Sequence, residues 1–97
     1  MLGEKIRYER ILKSIIIDFI NNWLIPNLNL KNREVRSFNL FLNFYSLEHP
    51  DFQYYHNQKE LELETPIGSI YVLKPQHDKM NHWFAIPTPY GYLVFAF

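Results

Sequence analysis

Apolar residues recur at spacings of three and four along the first quarter of the chain. Tyr8, Leu12, Ile15, Ile16, Phe19, Ile20, Trp23 and Leu24 share one side of a helical projection, and Glu4, Lys5, Arg7, Glu9, Arg10, Lys13, Ser14 and Asp18 take the other. That period predicts an amphipathic helix over residues 4–24. Glu9 and Lys13 add a favourable pair one turn apart. Pro26 disfavours a helical Ile25 and is expected to end the helix there. The stripe widens toward Trp23, so the C-terminal half, with Phe19 and Trp23, is expected to be the more buried.

After a polar connector at residues 26–35 the period changes to two. In residues 33–46, Phe38, Leu40, Leu42 and Phe44 alternate with Ser37, Asn39, Phe41, Asn43 and Tyr45, which predicts a strand. Pro50 and Asp51 suggest a turn, and residues 52–57 ("FQYYHN") a short strand. Residues 59–74 ("KELELETPIGSIYVLK") predict a hairpin turning at Pro66 and Gly68. Its first arm sets Leu61 and Leu63 against Glu60, Glu62 and Glu64, so one face is wet. Its return arm is apolar on both sides. A loop at residues 75–81 leads into a second hairpin, "HWFAIPTPYGYLVFAF", residues 82–97. Pro87 and Pro89 cannot donate ladder bonds and belong near its turn.

Tyr92, Val94 and Ala96 point to one face of the last strand, and Leu93, Phe95 and Phe97 to the other. Both faces are apolar, and residues 92–97 carry no Lys, Glu or Pro to guard an exposed edge. Residues 92–97 are therefore expected to form an inner strand covered on both sides. The predicted fold is α+β, a single domain over residues 1–97. One N-terminal helix packs on a curved antiparallel meander of about five or six strands. A helix is about 10–12 Å across and strands lie about 4.8 Å apart, so one helix covers part of one face. The uncovered apolar surface is expected to meet another chain, as a homodimer or with a target protein.

Composition supports a globular chain: 47% hydrophobic, 21% charged, with a high aromatic share of 18%. Ten basic residues balance ten acidic ones, so the long-range field of a nucleic-acid binder is missing. With no cysteine there is no disulfide and no thiol chemistry. The first segment lacks a signal-peptide pattern and no stretch reads as a membrane span, so a cytoplasmic protein without membrane contact is expected.

Candidate chemistry is sparse. His77, Asp78 and His82 are metal-ligand types in one loop, at a spacing that matches no strong zinc motif. His56 lies within reach of Glu60 or Glu62 as an acid–base pair, a lesser expectation than a surface histidine. Glu60, Glu62 and Glu64 read as a solvated face that blocks edge pairing. No serine sits in a nucleophile elbow, and the three glycines are scattered. No metal and no cofactor is expected. Phe41, Tyr45, Tyr54 and Tyr55 are the rings that strand alternation does not place on a single core face, and they form the candidate binding group. The function expected is a small non-enzymatic protein-binding module of inhibitor or adaptor type, acting through these aromatics and self-associating. Single-stranded nucleic-acid binding by stacking on the same rings is the first alternative. A small metal-assisted hydrolase is the second.

Overall fold

A computed structural model describes residues 2–31 and 33–97. The protein is α+β: an N-terminal helix followed by a five-stranded antiparallel sheet. It divides into two compact units, residues 1–40 and 41–97.

The first unit begins with α1 (Leu2–Phe19), widens into a π-helical turn (Ile20–Leu24) and closes with α2 (Ile25–Asn27). The helix thus passes Pro26 rather than ending before it. Proline lacks an N–H, and its ring clashes with the carbonyl four residues back in a regular α-helix. The wide turn re-spaces the bonds: Ile25 N–H donates to Ile20 O, five residues back. The end comes at Asn29, whose φ of 56° is left-handed. Leu30 N–H then reaches back to Ile25 O at 3.1 Å and Asn29 N–H to Pro26 O at 3.3 Å, a Schellman termination. Ile16, Phe19, Ile20, Leu24 and Ile25 are buried, while residues 3–12 are exposed throughout. The C-terminal half is the more buried, as its wider stripe predicts. Trp23 itself is only half-buried and stacks on Phe19 with centroids 5.7 Å apart. The connector folds back through Asn21. Its amide donates to Val35 O and accepts from Val35 N–H, both at 2.8 Å, so a side chain satisfies a stretch of backbone that has no strand partner.

The second unit holds β1 (Phe41–Ser46), α3 (Pro50–Asn57), β2 (Lys59–Thr65), β3 (Gly68–Leu73), β4 (Trp83–Thr88) and β5 (Gly91–Ala96). The strand order is β1-β5-β4-β3-β2. β2 to β5 form a meander, and β1 pairs with β5 from the far side. β5 is therefore an inner strand, as its two apolar faces require. β1 starts later than the alternation suggests, because Ser37–Asn39 form a 3₁₀ turn. Phe38, counted with the strand's apolar face, is consequently 84% exposed.

Residues 52–57 are helical, not a strand. His49 caps α3 by accepting the Asp51 N–H on Nδ1 at 2.9 Å, Pro50 takes the first turn, and Asp51 suits the positive end of the helix. The aromatic content favours a strand, but these start signals and the spacing of Phe52 and Tyr55 win.

Both hairpins turn on the same four-residue unit, Thr65-Pro66-Ile67-Gly68 and Thr88-Pro89-Tyr90-Gly91. In each, the threonine hydroxyl donates to the glycine carbonyl, at 2.7 and 2.8 Å, and accepts the third residue's N–H at 3.1 Å. Pro87 is tolerated inside β4 because pairing with β3 stops at Ala85, leaving Pro87 with β5 as its only neighbour. Among the described residues no helix is long and apolar enough to cross a membrane.

The two turn glycines differ sharply in what surrounds them. Both have positive φ, 107° at Gly68 and 146° at Gly91. A Cβ on Gly68 would meet nothing within 4 Å, whereas one on Gly91 would lie 2.1 Å from Tyr45 O and 2.7 Å from Ser46 Cα. Gly68→Ala should therefore cost only the left-handed strain, about 1–2 kcal/mol. Gly91→Ala must also push β1 away and should cost more than about 4 kcal/mol. Urea denaturation of the two variants checks the difference.

Candidate recognition surfaces

α3 lies over one face of the sheet and builds its aromatic cluster. Phe52 stacks on Tyr92 at 4.5 Å, and Tyr55 tilts onto Tyr45 at 4.7 Å and stacks on Trp83 at 6.2 Å. Beneath them are Leu73, Ala85, Val94 and Ala96, all buried. The small side chains of Ala85 and Ala96 leave room for the rings above. On the opposite face Phe84 stacks with Phe95 at 5.2 Å and with Phe97 at 5.9 Å, and all three are buried.

The four aromatics singled out by sequence form one connected group. Tyr45 is buried and Tyr55 half-buried, their hydroxyls 3.5 Å apart. Phe41 is half-buried against Trp83 at 5.3 Å. Tyr54 alone stands out, 48% exposed, edge-on to Tyr55, with its hydroxyl donating to Gln76. Packing thus engages three of the four, and Tyr54 is the most exposed member.

The histidines part company. His56 turns to Tyr92 rather than to Glu60 or Glu62: its Nδ1 lies 2.5 Å from the Tyr92 hydroxyl, with the rings stacked at 5.9 Å. Lys59 sits 4.3 Å over the Tyr71 ring, which meets Tyr92 edge-on at 5.8 Å. Asp78 is engaged as a turn acceptor for Met80 N–H at 2.9 Å. His82 packs on Phe97 at 5.3 Å. Among the described residues no three His, Cys, Asp or Glu side chains gather to hold a metal ion. Glu60, Glu62 and Glu64 are exposed as predicted, and Glu64 accepts from the Ser69 hydroxyl. Arg36, just past the connector, pairs with Glu34 at 3.3 Å.

No family model, no curated protein and no solved structure matches this chain. What it can do is read from its own surfaces.

One such surface lies outside the aromatic group. On α1, Tyr8, Ile11, Leu12 and Ile15 are 70%, 50%, 39% and 53% exposed. Their spacing of three, four and seven places them on one arc of the helix. The periodicity places Tyr8, Leu12 and Ile15 in the stripe, without Ile11, and it cannot say where along a helix burial begins. The repeated Thr-Pro-X-Gly turn was not anticipated, although "TPIG" and "TPYG" carry it as a four-residue match.

Burial pushes the Tyr55 hydroxyl well above the usual tyrosine range, and its bond with Tyr45 adds to this. Burial raises Tyr92 too, with Tyr71 contributing. In both cases the folded state holds the proton to higher pH than the unfolded chain. Their contribution to stability is complete below the unfolded value of about 10 and is lost as pH climbs past it. Urea midpoints should stay level from about pH 7 to 9 and fall by about pH 11, the fall being smaller in Tyr55→Phe.

Proposed function

We propose that this protein is a small non-enzymatic protein-binding module that docks through α1. The observation that carries the reading is the exposed arc of Tyr8, Ile11, Leu12 and Ile15. Large apolar side chains at i, i+3, i+4 and i+7 are the anchors by which an amphipathic helix seats in a partner's groove. Left in water, they form an apolar patch of the kind that marks interaction sites. Charged residues border the arc at Glu4, Arg7 and Asp18, so an apolar centre would be ringed by a polar rim. Tyr54, exposed on α3, is a second contact point of the type that dominates binding energy. An adaptor or an inhibitor both work this way. The protein works without metal or cofactor in this reading, as a cytoplasmic module.

Stacking of single-stranded nucleic acid has less support. The rings suited to it are roofed by α3, and the net charge of zero supplies no backbone attraction.

The test is affinity capture from the native host with wild-type protein and with a Tyr8→Glu/Ile15→Glu double variant. Both sites are exposed, so the variant should keep its unfolding free energy, measured by urea denaturation, within about 0.5 kcal/mol of wild type. A stoichiometric protein partner should be retained by wild type and lost by the variant. A partner held equally by both would remove α1 from the binding surface. Loss with Tyr54→Ala alone would move the site to α3.

A further inference from the structure

The two edges of the sheet are guarded very differently. β2, at one edge, carries Lys59, Glu60, Glu62 and Glu64, all exposed, and has a register irregularity between Lys59 and Leu61. Charges and bulges are the devices that keep an edge strand from pairing with another chain. β1, at the other edge, reads Phe-Leu-Asn-Phe-Tyr-Ser from Phe41 to Ser46, with no charge and no proline.

The register shows which backbone groups β1 leaves open. Leu47 N–H bonds to Tyr90 O at 3.0 Å, one step beyond the Ser46↔Gly91 pair. Hydrogen-bonded pairs alternate along an antiparallel ladder, so Tyr45, Asn43 and Phe41 bond to β5. Leu42, Phe44 and Ser46 therefore turn their N–H and C=O groups outward. Two of these groups have local partners. Ser46 O accepts from His49 N–H at 2.9 Å, and Phe44 N–H is held at 3.0 Å by the adjacent Asn43 side chain. Among the described residues, no backbone bond from outside the sheet reaches Leu42 or Phe44.

The geometry points to a second copy of this chain as the occupant: β1 pairs antiparallel with β1 of another molecule about a two-fold axis at Phe44, joining two sheets edge to edge. This proposal stands apart from the α1 reading and does not rest on it. In that register Phe44 exchanges both backbone bonds with Phe44 of the second copy, and Leu42 is opposite Ser46, whose carbonyl has a lone pair to spare. The strand is self-complementary, as a two-fold interface requires. Phe44 and Leu47, 43% and 52% exposed, gain cover: Phe44 from its own copy, Leu47 from Phe41 across the axis. No like charges meet, because none lies in β1. Asn43 must release Phe44 N–H, which exchanges a local bond for a ladder bond.

Sedimentation equilibrium of the full chain tests this, with amide hydrogen exchange on the same samples. The wild type should form a dimer, and Leu42, Phe44 and Ser46 amides should become protected as concentration rises. Phe44→Lys sets two ammonium groups opposite each other and should weaken the dimer at least about tenfold. Lys at an exposed edge should leave the fold intact; circular dichroism checks it. A wild type that stays monomeric up to about 1 mM overturns the proposal. So does a dimer whose Leu42 and Phe44 amides exchange freely, a result that needs no variant. A dimer unmoved by Phe44→Lys but lost in Tyr8→Glu/Ile15→Glu would assign self-association to α1 instead.

Discussion

Everything in the second unit answers the demands of β5. Its side chains are apolar on both faces, so neither face tolerates water, and its backbone has two edges, so it needs two strands. β4 supplies one through the Thr88–Gly91 turn. The other comes from β1, more than forty residues earlier in the chain, and the close approach of β1 depends on Gly91 having no side chain. One face of β5 then receives α3, and the other carries the stacked Phe84, Phe95 and Phe97. Burying aromatic area at about 25 cal/mol per Å² is the largest favourable term available to a unit this small.

That solution decides where recognition can occur. Once α3 packs Phe52 and Tyr55 onto the sheet, the aromatics under it contribute stability, and only their outlying neighbour Tyr54 faces solvent. Among the surfaces the core does not use are the first turns of α1 and the outer side of β1. One offers apolar side chains and the other offers backbone. They suit different modes of association, a helix seated in a groove and a strand added to an edge.

The sheet's two edges also show how protection is distributed. β2 is exposed and carries alternating carboxylates. β1 is uncharged, and its local defences are the Asn43 side chain turned back on Phe44 N–H and the His49 N–H on Ser46 O. Desolvating β2 against another strand would bury carboxylates, at several kcal/mol per unpaired charge. β1 carries no such penalty.

The sequence alone determined the α+β class, the amphipathic N-terminal helix, both hairpins and the inner position of residues 92–97. Each of these rests on a local period or on apolarity that must be buried whatever the neighbours are. The exposed glutamate row was legible for the same reason. Tertiary structure decided the rest. Residues 50–57 became a helix because a cap at His49, Pro50 in the first turn and two aromatics three apart found a sheet face to cover, and aromatic β-propensity measures fit to a pleated surface rather than a backbone preference. Pro26 did not end the helix, because a π turn re-spaced the bonds around it, a choice the residue before a proline does not reveal. The same stripe along the N-terminal helix is buried or half-buried from Ile16 onward and exposed before it. Period fixes which side of a helix is apolar, but only the placement of the other residues determines how much of that side is covered.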